Sequence, residues 1–461
     1  MRVLLISTYE LGRQPVHVSS PAASLAAAGH DVSVVDLAVD ELETDNIGSV
    51  DAVGISVPMH TATRLALLVA ERIKSVRPDL PIALYGLYAG APARDHLETV
   101  DAVFAGEYEP DLLSWVASKA GGVPTGTSSS RTGRSEFSVP ARDGLPTLDS
   151  YARLDFEGQT RLAGAVEASH GCRHRCRHCP IPAVYDGRMR VVPKQVVLAD
   201  IDQLVESGAR HITFGDPDFL NAPRHSLDVL EAAHSAHPEL TFDATIKVSH
   251  IVDHADLWPE MARMNLLFVV SAFESVDHVT LEVLDKGHSV ADMSRAIDLV
   301  RSVGIYIRPT WLPFLPWTEP DHIADMFRFI GDHDLGSSID PVQMSIKLLI
   351  PRGSLLEEHP SVVPHLIAYD PASLSWTWEF SDPDTELLQK ELEAIAAKAS
   401  DCGEHFAVTL EQMSTTVSRL TGKALGELSS GEALAPRLTE SWFCCAEPTQ
   451  SQVVSLGVAS G

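Results

Sequence analysis

Three of the chain's six cysteines fall within eight residues, in Ser169-His-Gly-Cys172-Arg-His-Arg-Cys176-Arg-His-Cys179-Pro180. The spacing Cys-x3-Cys-x2-Cys gathers three thiols in one loop, and such a loop needs a rigid frame to hold it. A 4Fe–4S cluster normally takes four cysteine ligands, so a set of three leaves one iron open to a ligand from solution. Zinc is the rival metal, with a neighbouring histidine as the fourth ligand. Arg173, His174, Arg175, Arg177 and His178 make the loop electropositive, which is expected to lower the thiol pKa values and favour thiolates.

The frame can be read from the pattern around that loop. Apolar strand-like runs at residues 2–7, 31–36, 51–57, 81–85 and 100–105 alternate with helical stretches at 16–28, 60–76 and 110–120. Alternation of this kind predicts a doubly wound parallel sheet, with ligands at the carboxyl ends of its strands. Residues 121–142 are rich in Gly, Ser, Thr and Arg and read as a mobile linker. The alternation then resumes, with strands at 165–169, 211–214, 241–246, 266–273, 306–312 and 342–350 separated by helices. Six strand–helix repeats fit a partial β/α barrel, whose functional groups belong on the loops after the strands. Beyond residue 353 the alternation stops. Residues 384–399 form an amphipathic helix, and Cys402 after it reads as buried core.

Composition narrows the function classes. The 461 residues suffice for two or three domains, and 45% hydrophobic against 21% charged residues is a globular balance. A net charge of −28 argues against general nucleic-acid affinity and for a soluble protein. No uncharged apolar run is long enough for a membrane span. Three clustered cysteines and an adjacent pair do not make a disulfide framework, so the cytoplasm is the expected compartment.

The cysteine spacing after a strand resembles the signature of the radical S-adenosylmethionine (SAM) superfamily. That resemblance implies Cys172, Cys176 and Cys179 as ligands of a 4Fe–4S cluster whose open iron binds SAM, with His178 against the adenine. It implies a SAM-binding role for Gly215-Asp216-Pro-Asp218, where Asp216 or Asp218 would meet the SAM amino group. Lys247 would face the SAM carboxylate. The strand end Ser271-Ala-Phe-Glu274-Ser275 with Leu284-Asp-Lys286-Gly287 resembles the pattern in which Glu274 approaches the ribose. Arg308 on the fifth strand either faces the barrel or takes a surface ion pair. The N-terminal third is similar to the cobalamin-binding domain that precedes the core in one subgroup. There, Gly86-Leu-Tyr-Ala-Gly90 and Ala105-Gly-Glu107-Tyr-Glu109 would border the cofactor. The cobalt-ligating Asp-x-His-x-x-Gly pattern is absent, since the first loop reads Thr8-Tyr-Glu-Leu-Gly-Arg13. Two readings stay open: cobalamin binds there as a third cofactor, or the domain is degenerate and kept for packing or for covering the active site.

The expected organisation is therefore α/β. A Rossmann-like, cobalamin-binding-type domain spans 1–120, a linker and lead-in 121–162, and a radical SAM partial (β/α)6 barrel 163–352. A mostly helical extension with a cysteine tail spans 353–461. The tail Ser441-Trp-Phe-Cys444-Cys445-Ala-Glu-Pro448 resembles the tail-cysteine radical SAM group, similar to the enzyme that builds the arsenic–carbon bond of arsinothricin. That resemblance implies transfer of the 3-amino-3-carboxypropyl group of SAM to a soft acceptor such as arsenite, held by Cys444 and Cys445. The alternative is a cobalamin-dependent radical SAM methyltransferase. Either enzyme takes a small-molecule substrate and an electron donor such as flavodoxin or ferredoxin, with neither nucleic acid nor membrane as partner. A thiol-based sensor with a structural cluster is the non-enzyme reading, and no helix-turn-helix or basic helix supports it.

Overall fold

The computed structural model describes residues 1–90, 96, 98–119, 137–426, 428, 435–440, 448, 452–453 and 456. Two sheets organise them. The first contains β1 (Arg2–Ser7), β2 (Asp31–Asp36), β3 (Ala52–Ser56), β4 (Ile82–Tyr85) and β5 (Ala102–Phe104) in the order β2-β1-β3-β4-β5, all parallel. Both faces are covered, which explains why its strands read as unbroken apolar runs. Along β1, Val3 and Leu5 join the core on one face, while Leu4 and Ile6 join the core on the other. The strand order reverses between β1 and β3, so the crevice at their carboxyl ends is the expected ligand position.

The second sheet is curled. Its parallel strands are β7 (Gln159–Val166), β10 (His211–Phe214), β11 (Thr241–Thr245), β12 (Leu266–Glu274) and β13 (Tyr306–Trp311). On the β7 side, β6 (Arg153–Phe156) adds antiparallel, followed by the short β16 (Arg437–Leu438). Helices Lys194–Glu206, Pro223–Ala236, Val290–Ser302 and Pro320–Asp332 pack outside, with a continuous apolar core between. A separate two-stranded ribbon, β8 (Ser169–Gly171) and β9 (Met189–Val191), brackets the cysteine loop.

The structure departs from the sequence reading at four points, the first being that the strand expected at 165–169 is divided, with β7 ending at Val166 and β8 opening at Ser169 in the separate ribbon. The sixth strand expected at 342–350 is absent; Pro341–Ser345 is a 3-10 turn, and only an isolated bridge from Phe314 to Lys347 continues the sheet. Pro341 opens that turn, and Gln343 is drawn inward to accept a hydrogen bond from the Trp311 backbone N–H. Cys402 is exposed rather than buried. It is the last residue of helix Pro383–Cys402, whose apolar stripe is carried by Leu388 and Leu392, and Gly403 caps the helix end in the left-handed conformation. Of the expected linker, residues 137–142 are described, and Arg142 there is buried, because Asp200 supplies a buried carboxylate for its guanidinium. A second helix, Phe406–Thr421, and a hairpin of β14 (Leu366–Asp370) with β15 (Ser375–Trp378) complete the C-terminal part. Cys444 and Cys445 lie outside the described residues.

Candidate active site

The carboxyl ends of both sheets open onto one cavity of about 410 Å³. From the first sheet it is lined by Glu10, Leu11 and Arg13 after β1, Pro58 and Met59 after β3, Leu87 and Tyr88 after β4, and Gly106 and Tyr108 after β5. The second sheet contributes Cys172, Cys176, His178, Cys179, Gly215, Asp216, Asp218, Lys247, Glu274 and Lys286. The volume lies in the range of small-molecule sites. Gly86 lets the two halves of the first-sheet wall close up: its φ is +126°, and a Cβ would stand 2.9 Å from the Val57 carbonyl oxygen.

The cysteine loop is fixed at both ends. Gly171 has φ +73°, and a Cβ there would stand 2.5 Å from the Arg188 carbonyl oxygen, so the turn into Cys172 requires glycine. The Arg177 backbone N–H donates to Leu284 O at 2.9 Å, and its guanidinium donates to Glu282 O and Val283 O. Arg175 pairs with the exposed Asp186 at 2.8 Å. These charges therefore serve the loop's frame. Burial instead pushes Cys172 and Cys179 up from their ordinary value, opposite to the sequence expectation. Three half-buried thiols along one wall form a soft donor set, and they fit an iron–sulfur cluster: bound metal would offset the cost of burying thiolates.

Beside the loop, three polar groups converge. His178 Nε2 and Lys286 Nζ each stand 3.1 Å from Glu274 Oε1. Burial alone would raise the Glu274 carboxyl, but Lys286 and His178 outweigh it and hold the group at about 2. Glu274 also has a φ of +65°, a left-handed conformation that ordinary residues adopt at a cost. A strained strand end aiming a carboxylate into a cavity is a recurrent mark of a working site. The shift has a stability consequence. A depressed carboxyl contributes stability that is fully present above its ordinary value of 4.5 and is lost as pH falls toward about 2. Denaturant titrations should show that loss between pH 4.5 and 2, and Glu274→Gln should flatten the curve in that window.

The SAM-side expectations divide. Asp218 sits 2.7 Å from His250 Nδ1 and 3.6 Å from His174 Nε2, and Lys247 Nζ lies 3.2 Å from His174 Nδ1. Asp218 and Lys247 thus share one polar patch of the cavity wall. Asp216 lines the cavity too, but its oxygens accept from the Ala168 N–H and the Ser169 hydroxyl, which ties it to the bend between β7 and β8. Burial pushes its carboxyl up to about 7. Gly215 leaves room for Arg13, whose Nη1 stands 3.5 Å from where a Cβ would be. Two expected residues are not brought to the cavity. Val270, Ala272 and Glu274 line it, so Ser271 between them points to the opposite face of β12. Arg308 is buried in an ion pair with Asp340 at 2.9 Å and donates to the Pro436 carbonyl, because a buried guanidinium takes the nearest buried carboxylate.

Sequence reasoning missed several groups. His170, just ahead of Gly171, places Nδ1 3.1 Å from Glu107 and Nε2 3.1 Å from Glu167. Burial opposes its charge, but the two carboxylates raise its pKa well above the ordinary value. Glu107 also accepts from the Tyr185 hydroxyl at 2.9 Å, so a loop of the first sheet is bonded directly to the frame of the cysteine loop. The clue was Ala105-Gly-Glu107, read only as a cofactor border. His250 and Asn221 carried no motif at all.

Residues 166–330 match the description of the radical SAM superfamily. The chain contains a radical SAM domain. Such a domain takes a 4Fe–4S cluster and SAM. Among curated relatives, the hopanoid C-3 methylase of Methylococcus capsulatus (strain Bath) is 24% identical over 352 residues, covering 71% of this chain and 65% of that protein. The hopanoid C-2 methylase of Rhodopseudomonas palustris (strain TIE-1) is 24% identical over 288 residues, covering 60% and 51%. The chain thus spans less than two thirds of the length of either. Among solved structures, the cobalamin-dependent SAM radical enzyme OxsB with aqua-cobalamin and SAM bound superposes with a TM-score of 0.65. That match has 16% identity and covers 87% of this chain and 66% of the other. The radical SAM methyltransferase TsrM from Kitasatospora setae, with tryptophan and a SAM analogue, gives 0.55 at 16% identity, covering 73% and 76%. At these identities the structural likeness establishes the fold. No helix among the described residues is long and apolar enough to cross a membrane.

Proposed function

We propose that the protein is a cobalamin-using radical SAM methyltransferase acting on a small molecule. The carrying observation is the single cavity into which the carboxyl ends of both sheets open, with the three cysteines on one wall and the β1/β3 switch-point loops on the other. When bound, the cluster supplies the electron that cleaves SAM and cobalamin supplies a methyl carrier. The chain's own residues do the rest. Cys172, Cys176 and Cys179 hold the cluster; Asp218 and Lys247 offer opposite charges to the amino and carboxylate groups of SAM; Glu274, fixed by Lys286 and His178, accepts from the ribose. Gly106 and the apolar Leu11, Met59 and Leu87 form a wall suited to a flat macrocycle. His17 is the one imidazole that the first sheet's described residues bring to that wall. It bonds Tyr108 and faces Glu167, and the first loop, Thr8-Tyr-Glu-Leu-Gly-Arg13, holds no histidine, so cobalamin bound here would take none from that loop. Domain limits near 120, 162 and 352, a flavodoxin or ferredoxin as donor, and a cytoplasmic setting complete the proposal.

The second reading, aminocarboxypropyl transfer to arsenite or another soft acceptor, rests on Cys444 and Cys445 alone. The methylase-named relatives favour methyl transfer instead. Anaerobic purification followed by nucleoside chromatography separates the two. Methyl transfer predicts bound cobalamin and 5′-deoxyadenosine, whereas aminocarboxypropyl transfer predicts methylthioadenosine.

A further inference from the structure

We propose that Asn221 is a positioning residue for the cluster, donating an N–H···S hydrogen bond to Cys172 that raises the cluster's reduction potential. The inference rests on the reading of Cys172 as a cluster ligand. Asn221 ends the 3-10 turn Phe219–Asn221 after β10 and is 1% exposed. The turn is pinned from both sides: the Phe219 and Phe214 rings stack at 4.4 Å, and the Ser226 hydroxyl donates to the Phe219 carbonyl. The Asn221 backbone N–H donates to Asp218 O at 3.1 Å.

The side chain has one orientation. Its Oδ1 lies 3.3 Å from the backbone nitrogen of Arg173, a group that can only donate, so the oxygen must face it. The amide Nδ2 then faces Cys172 Sγ at 3.4 Å. A thiolate bound to iron can only accept, so the amide N–H is matched to the metal-bound form. Reduction adds negative charge to the cluster and its sulfurs. A fixed donor stabilises that state more than the oxidised one, and hydrogen bonds to cluster sulfurs are among the determinants of potential.

The test uses the full chain, reconstituted anaerobically and titrated potentiometrically with the reduced cluster followed by electron paramagnetic resonance. Asn221→Leu keeps the shape and loses the donor. At a fixed potential its ratio of reduced to oxidised cluster should fall about tenfold, equivalent to about 59 mV for one electron, with iron content unchanged. If that variant does not load, Asn221→Ala carries the test, because it removes the amide donor to sulfur without placing a new charge beside the cluster. An unshifted midpoint in a fully loaded variant overturns the proposal and leaves the cluster assignment standing. Full iron content in Cys172→Ala would instead overturn the assignment beneath it.

Discussion

Replacing Cys172, Cys176 and Cys179 together with alanine is expected to leave a folded protein with no iron–sulfur absorption and no SAM cleavage above background. The loop does not depend on metal for its frame: Arg177 ties it to Glu282, Val283 and Leu284, and β8 pairs with β9 on either side. Fold and chemistry should therefore separate in this variant. The loss of activity should be very large, since the cofactor carries chemistry the side chains cannot, and enzymatic accelerations start at about 10⁶-fold. Circular dichroism close to that of the wild type, with iron and SAM turnover gone, is the expected pattern. Retained iron in the triple variant would contradict it.

The second large effect is on stability. Arg142 joins three parts of the chain. It pairs with Asp200 of helix Lys194–Glu206 through Nε at 2.5 Å and Nη2 at 2.7 Å, donates to Ala165 O of β7 at 2.7 Å, and donates to Gln14 Oε1 at 3.0 Å. All of this is buried. Removing one partner of a buried pair leaves an uncompensated charge and costs about 3–5 kcal/mol. Arg142→Met should lower stability by that amount in denaturant titrations, through the unpaired Asp200 carboxylate. The double variant Arg142→Met with Asp200→Leu should recover much of the loss, because an apolar pair no longer carries a buried charge. A change below about 1 kcal/mol in the single variant would show that water reaches Asp200.

The cysteine spacing and the alternation of strands and helices carried most of the architecture, because both are local patterns. Cys172, Cys176 and Cys179 line the cavity as a group, and so do Asp218, Lys247 and Glu274 at successive strand ends. Period-two alternation would have separated Ser271 from Glu274, had the strand's inward face been anchored on Glu274 rather than read as a motif. What stayed hidden depended on distant partners. The thiols' environment turned on where Arg175 and Arg177 point, which is decided by Asp186 and by the carbonyls at 282 and 283. Arg308 met Asp340, 32 residues on, and Asn221 met Cys172, 49 residues back. Arg142 looked like linker because a Ser- and Gly-rich stretch precedes it, yet its buried partner is 58 residues away. No sequence window spans such contacts.

In the proposed function one cavity serves both a cluster-bound SAM and a cobalamin held by the first sheet. The most direct measurement is cofactor and product analysis of the anaerobically reconstituted full chain, supplied with SAM, reductant and hydroxocobalamin. Retained cobalamin after gel filtration, together with 5′-deoxyadenosine, is the expected result. Methylthioadenosine as the product, from a protein that holds its cluster and retains no cobalamin, would contradict it.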